Sequence, residues 1–202
     1  MGNALFSNGP GDEPSRRHTI AALVDNEPGV LARVIGLFSG RGYNIDSLTV
    51  AEVDAGRRFS RINIVTTGTE LVIEQIKALL DKLVPVHQVQ DLTVQGPHVE
   101  RELALVKVAG EREHLIQASR IADVMRARLV DSQPGSFIFE MTGTSDEVDA
   151  FIDLVRPVEV SRAGVVAMAR GLAVLTSEYI GQDDVPPATA VAPSRDTGGT
   201  IA

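Results

Sequence analysis

Two asparagines and a glycine mark the segment of this sequence with the clearest capacity to bind a small molecule. The side-chain amides of Asn26 and Asn44 donate and accept hydrogen bonds, so they can hold the ammonium and carboxylate groups of an amino acid. Gly29 has no side chain, which lets a ligand approach its backbone. The N–H groups of Gly29, Val30 and Leu31 fall at the start of a predicted helix, where unpaired N–H groups form a site for a carboxylate-sized anion.

A purely structural interpretation of the same residues stays open. In that interpretation Asn26 caps the helix, Pro28 occupies the first helical position, where its fixed φ is favourable, and Asn44 is a turn residue. Spacing alone does not decide between the two interpretations.

Residue patterns for catalysis are missing from the sequence. It contains no Walker A, Gly-x-Ser-x-Gly or His-Glu-x-x-His pattern. Pairs of acidic residues fall at predicted helix starts, where they favour the helix dipole. The histidines have no metal-ligand spacing, and we expect them at the surface: His18, His87, His98 and His114. The sequence therefore predicts no catalytic site and no metal site.

Composition narrows the class of protein further. The 202 residues weigh 21.6 kDa and include 19 Lys and Arg against 27 Asp and Glu, for a net charge of −8. This charge and an aromatic content of 4% disfavour nucleic-acid binding. The chain has no cysteine, which excludes disulfides and thiolate metal sites and fits a cytoplasmic protein. No apolar run is long enough for a membrane span.

The elements that must position the asparagines follow a strand–helix–strand–strand–helix–strand order that occurs twice. In the first copy, hydrophobic spacing predicts strands at 19–24, 45–53, 59–66 and 86–94, with helices from Pro28 to about Gly40 and from 69 or 70 to about 83. The second copy has predicted strands at 103–109, 128–132, 136–142 and 158–169, with helices at 113–126 and 145–156.

This order predicts an α+β protein made of two ferredoxin-like βαββαβ domains, at 16–96 and 97–180. Each has an antiparallel sheet with both helices on one face, and the other face or an edge strand is left for a partner. The segments 1–15 and 181–202 are rich in Gly, Pro and Ala without apolar periodicity, so we expect disordered tails there.

Several segments resemble a known family. The stretch DNEPGVLAR at 25–33 resembles the ligand-binding turn of ACT domains. Together with RGYNI at 41–45, HVEREL at 98–103 and RAGVV at 162–166, it is similar to the small regulatory subunit of acetolactate synthase (acetohydroxyacid synthase). The resemblance covers roughly residues 16–171.

The resemblance implies an ACT domain followed by a second, related domain, without a catalytic site or cofactor of its own. Such subunits bind and activate a large catalytic subunit that carries thiamine diphosphate, Mg²⁺ and FAD. Valine or another branched-chain amino acid binds between the ACT domains of a homodimer and reverses the activation. The resemblance implies that Asn26, Gly29 and Asn44 make the main contacts to the effector. It further implies that Val30, Leu31 and Ile45 line or border the pocket for the effector's side chain.

Three arginines at or near the predicted hairpin, Arg57, Arg58 and Arg61, have two interpretations. They either belong to a solvated hairpin or contact the catalytic subunit. At the level of function, the alternative to a synthase subunit is a free-standing ACT-type amino-acid sensor that regulates another enzyme or a transcription factor. None of the predicted helices resembles a DNA-binding segment.

Overall fold

The first unit is a four-stranded antiparallel sheet with its two long helices on one face. The structure, a computed structural model, describes residues 14–53, 56, 58–171 and 175. The sheet has the order β2-β3-β1-β4. The elements in chain order are β1 (Arg16–Asp25), α1 (Val30–Ser39), β2 (Ser47–Glu52), β3 (Phe59–Gly68), α2 (Glu70–Leu80), β4 (Val86–Asp91) and α3 (Leu92–Gln95).

The second unit repeats this architecture with the sheet order β6-β7-β5-β8. Its elements in chain order are β5 (His98–Ala109), α4 (Arg112–Met125), β6 (Arg128–Gln133), β7 (Ser136–Gly143), α5 (Ser145–Val155) and β8 (Glu159–Ala169). Thr144 and Glu147 form a capping box at the start of α5, as their spacing suggests. The prediction of two α+β units of ferredoxin-like topology is confirmed.

Alternation along the strands explains why the helices of the first unit pack on one face. Ile20, Ala22 and Val24 of β1 lie in one core with Val34 and Phe38 of α1. The helix presents these residues at helical spacing, while the strand presents every second residue, so the two apolar surfaces meet. A separate core in the second unit is built in the same way from its sheet and the helices α4 and α5.

The opposite face of the first sheet, here called the open face, is covered by β8 of the second unit. Thr19 and Ala21 of β1 and Asn63 of β3 lie on this face and are buried. Ala21 packs with Ala167 of β8, and the Arg61 guanidinium donates to the Ala167 carbonyl at 2.7 Å. Much of the face expected to await a partner is therefore covered within the same chain.

Several details differ from the sequence predictions. Pro28 does not occupy the first helical position, because α1 begins at Val30 with Gly29 as the N-cap. The predicted strand at 86–94 ends at Asp91, whose side chain accepts from the Thr93 N–H and starts the short helix α3. The prediction that the histidines lie at the surface is wrong for His18, which is buried with its Nδ1 2.8 Å from an Asp91 carboxylate oxygen.

The predicted tails at 1–15 and 181–202 lie outside the described residues, except for Pro14 and Ser15. No helix in the described part of the chain is long and apolar enough to cross a membrane.

Candidate functional site

Asn26 is held at the end of the first sheet by side chains from two neighbouring strands. Its Nδ2 donates to Glu52 Oε1 at 3.1 Å, and its Oδ1 accepts from Ser60 Oγ at 3.1 Å. Its backbone N–H donates to the Arg58 carbonyl at 2.7 Å. Asn26 does not cap α1, which begins with Gly29 as its N-cap and without a side-chain cap. The amide is therefore positioned at an exposed turn without serving the helix.

Gly29 gives this turn a backbone conformation that other residues rarely adopt. It adopts φ 88° in the left-handed region, and a Cβ added there would meet no atom within 4 Å. The space beside the backbone is thus open, while the conformation itself favours glycine. Among the described residues, the N–H groups of Gly29 and Leu31 have no hydrogen-bond partner, and that of Val30 reaches the Glu27 carbonyl at 3.4 Å.

The three apolar positions of the predicted pocket have different exposures. Val30 is only 4% exposed and belongs to the core of the first unit, so it supports the turn from behind. Leu31 is 38% exposed on the surface of α1. Ile45 is partly buried against the same core as Val30.

Asn44 lies in the loop before β2, at the other end of the sheet. Its Nδ2 donates to Asp46 Oδ1 at 2.6 Å, and its carbonyl accepts from Thr66 Oγ1 at 2.6 Å. Asp46 is itself fixed by Thr67, whose hydroxyl donates to Oδ2 at 2.8 Å. Side-chain hydrogen bonds therefore connect the loop to the last residues of β3.

One chain does not bring the two asparagines together. Asn26 contacts Ser60 near the start of β3, whereas Asn44 contacts Thr66 near its end. Six residue-to-residue steps along the extended strand separate these contacts, which corresponds to about 20 Å. A single amino acid cannot span that distance, so each end of the sheet carries one half of the predicted site.

The arginines predicted near the hairpin have separate environments. Arg58 is exposed, and its guanidinium lies 5.6 Å from the centroid of the Phe59 ring. Arg61 is turned to the open face, where its Nε donates to Asn63 Oδ1 at 3.0 Å and burial lowers its pKa. Arg57 lies outside the described residues.

The sequence did not point to Glu52, Ser60 and Asp46, which position the two asparagines. A signal existed for the first two, because Glu52 and Ser60 are paired residues at the end of the β2–β3 hairpin. Polar residues that face each other beside an asparagine turn are natural candidates to hold its amide. Asp46 lies two residues after Asn44, and a carboxylate so close in the chain can accept a hydrogen bond from the asparagine amide.

The described residues contain no group of three or more His, Asp or Glu side chains arranged to hold a metal ion. What the site offers is hydrogen-bonding amides, backbone N–H groups and an exposed apolar side chain.

Comparison with known proteins places this architecture in a family. Residues 20–88 match the family described as AHAS small subunit-like ACT domain, and residues 101–171 match the small subunit of acetolactate synthase. The acetolactate synthase isozyme 3 small subunit of Salmonella typhimurium is 45% identical over 77% of this chain and 96% of that protein. The chain belongs to the acetolactate synthase small-subunit family.

Other members of the small-subunit family agree with this assignment. The probable acetolactate synthase small subunit of Archaeoglobus fulgidus is 46% identical over 77% of this chain and 98% of that protein. The solved structure of the acetolactate synthase small subunit from Thermotoga maritima matches with a TM-score of 0.69 and 35% identity, over 78% of this chain and 99% of that one. Both domains of the family are therefore present in this chain.

Proposed function

We propose that this chain binds and activates the large catalytic subunit of acetolactate synthase and makes the complex sensitive to valine or another branched-chain amino acid. It contributes no catalytic group, and thiamine diphosphate, Mg²⁺ and FAD belong to the large subunit. The complex acts in the cytoplasm. The observation that carries the proposal is the split site, with Asn26 and Gly29 at one end of the first sheet and Asn44 at the other.

A second copy of the chain completes the split site. β2 is an edge strand, so two copies can pair through it around a two-fold axis. In an antiparallel pairing the end of one β2 lies beside the start of the other, which brings Asn26 of one protomer close to Asn44 of its partner. Exposed apolar side chains of α1 and β2 support the pairing: Leu31, Ile35 and Val50 are 38%, 37% and 43% exposed.

The completed site recognises an amino acid by its two ends. The carboxylate binds the N–H groups at the start of α1, and the two asparagine amides hold the ammonium and carboxylate groups. Leu31 and Ile45 provide a small apolar surface for the side chain. Since one methylene contributes only about 1–3 kcal/mol in such a pocket, discrimination among valine, leucine and isoleucine is weak.

Inhibition follows when the effector prefers one arrangement of the two protomers. A ligand that contacts both chains binds best when their spacing fits it, so it shifts the equilibrium between dimer arrangements. The exposed Arg58 at the hairpin is our candidate for contact with the catalytic subunit. Charge reversal by Arg58→Glu then weakens activation and leaves valine binding intact.

The test mixes the chain with an acetolactate synthase large subunit and measures acetolactate formation at increasing ratios, with and without valine. We expect activation, and inhibition of the activated complex by valine. Absence of activation at every ratio would contradict the proposal.

Site variants test where the effector binds. Asn26→Ala and Gly29→Ala should still activate but resist valine, because each removes or obstructs a contact to the ligand. Gly171→Ala is the matched control for Gly29→Ala: Gly171 has φ 78° and open space beside it, so it carries similar backbone strain of about 1 kcal/mol away from the site. Full valine sensitivity in both site variants would refute the assignment.

A further inference from the structure

The second unit touches the first through a bulge in β8, directly behind the start of β2. Between the pairs Glu102–Val165 and Ala104–Arg162, β5 has one residue and β8 has two, Ala163 and Gly164. Such an extra residue bends the strand locally, and a glycine with positive φ is common there. Gly164 has φ 84° and lies against β2.

Contact between this bulge and β2 is close and hydrogen-bonded. The Val165 N–H donates to Ser47 Oγ at 2.8 Å, and Thr49 Oγ1 donates to the Val165 carbonyl at 3.0 Å. A Cβ on Gly164 would lie 2.9 Å from Thr49 Cγ2 and 3.0 Å from Ser47 Oγ. Thr49 also accepts from Asn63 Nδ2 at 3.0 Å, so its side chain is not free to turn away.

Ion pairs next to the bulge hold Arg162, the residue at its start, in place. Arg162 donates from Nε and Nη2 to the two oxygens of Glu102, at 2.7 and 2.6 Å, and from Nη1 to Asp149 at 2.5 Å. Glu102 is 4% exposed. A bidentate pair to a buried carboxylate fixes the backbone of β8 beside it.

Ser47, which contacts the bulge, lies next to the Asn44 half of the proposed site in the chain. Ser47 directly follows Asp46, whose carboxylate holds the Asn44 amide and whose N–H donates to the Val65 carbonyl at 2.8 Å. A displacement of Ser47 therefore moves the carboxylate that orients Asn44. Binding sites require their polar groups within about 0.5 Å of the productive geometry, so a small displacement matters.

We propose that Gly164 is a positioning residue for the effector site. By leaving room for β2 to lie against the bulge, it lets the second unit set the position of Asn44 and hence the affinity for the branched-chain amino acid. The proposal rests on the proposed function. Because coupling is reciprocal, effector binding in turn favours the arrangement in which the bulge is seated on Ser47 and Thr49.

The experiment measures valine dissociation constants of the full chain by titration calorimetry. Gly164→Ala forces Ser47 and Thr49 away, and we expect it to raise the Kd for valine at least about fivefold, the lower end of common coupling strengths. Gly135→Ala is the matched control, because Gly135 has the same φ of 84° and no atom within 4 Å of an added Cβ. We expect its Kd to stay within twofold of the unmodified chain.

A rescue variant separates positioning from general damage. Adding Thr49→Ser to Gly164→Ala removes the Cγ2 methyl that the new Cβ would contact and keeps the hydroxyl. The double variant should therefore reverse at least half of the increase in log Kd that Gly164→Ala causes. Where Gly164→Ala does not fold, Thr49→Val removes the hydrogen bond to Val165, together with the one accepted from Asn63, without added bulk, and we expect a Kd raised at least threefold.

The outcomes are distinguishable from those of the proposed function. If the unmodified chain binds valine and both Gly164→Ala and Thr49→Val bind it within twofold of that value, the positioning role is refuted while the effector site stands. If the unmodified chain binds no valine, leucine or isoleucine, the proposed site fails, and this inference fails with it.

Discussion

Replacing Arg162 with methionine removes the counter-ion of a buried carboxylate and keeps most of the aliphatic stem. The side chain of Glu102 is 4% exposed, and that of Arg162 is 36% exposed. The two hydrogen bonds from Arg162 to Glu102 are its main stabilising contact, and they raise the pKa of the guanidinium. Without them Glu102 retains the Ser145 hydroxyl at 3.3 Å but has lost its ion-pair partner.

The magnitude follows from burial. Breaking a buried pair by removing one partner costs about 3–5 kcal/mol, because the remaining charge is left in a poorly solvated position. Water reaches the outer side of Arg162, so the cost lies at or below the lower end, about 2–3 kcal/mol. For a chain of this size that corresponds to a decrease in Tm of about 4–12 °C.

The chain offers a matched control in Arg128. It also makes two hydrogen bonds to one glutamate, at 3.3 and 2.9 Å to Glu140, but the side chain of Arg128 is 70% exposed. Arg128→Met should therefore destabilise the chain much less than Arg162→Met does, because solvent screens the exposed pair. Urea unfolding of both variants at equal protein concentration compares the free energies of unfolding directly.

A double variant decides whether the buried charge is the cause. Glu102→Gln removes the negative charge, so Arg162→Met combined with Glu102→Gln should be more stable than Arg162→Met alone. The reasoning is refuted if Arg162→Met and Arg128→Met have equal small effects, or if the double variant is less stable than the single one.

Two further predictions concern stability. Desolvation raises the pKa of Glu100, but hydrogen bonds from Thr19 and Arg17 outweigh it, so the pKa is lower than usual. The stability it contributes is full above its unfolded pKa of about 4.3 and is lost as pH falls through the lower folded value. The deficit of Glu100→Gln in urea unfolding should then shrink as pH falls through this window, and a pH-independent deficit would contradict the assignment. Thr144→Ala removes the capping box with Glu147 and should lower the free energy of unfolding, measured in urea, by about 1 kcal/mol. An unchanged free energy of unfolding would contradict this prediction and show that water replaces the cap.

Local periodicity was sufficient to predict most of the fold. The apolar spacing of 30–38 and the turn-forming residue types at 54–57 indicated the helix and strand pair of the first unit, because these signals depend on neighbouring residues alone. The short helix Leu92–Gln95 was missed, since it buries only Leu92 and has no helical period to detect.

The sequence of β1 contained a signal that the open face is covered, and the prediction did not use it. In β1, buried residues occupy both alternating sets, with Ile20, Ala22 and Val24 facing the helices and Thr19, Ala21 and Leu23 on the open face. An uninterrupted run of this kind is typical of a strand buried on both faces. The sequence does not say which segment provides the second cover, because that depends on contacts between distant parts of the chain.

The candidate site was predicted by residue type but not by geometry. Asn26, Gly29 and Asn44 were identified from the sequence, and the assignment of the effector to them stays a prediction. Their separation was implied by the predicted antiparallel order, because the end of β1 and the start of β2 then lie at opposite ends of the sheet.

Because β8 covers the open face, the order in which the chain is synthesised affects how it folds. The last strand of the first sheet ends at Asp91, whereas the contacts of Ser47 with Val165 and of Arg61 with Ala167 join residues 118 and 106 positions apart. A nascent chain that has emerged only as far as α5 therefore lacks the part of the cover that β8 provides, and Ser47 and Arg61 are without their β8 partners. Contacts over such long sequence distances form slowly, and a surface left bare in that interval invites association with other nascent chains.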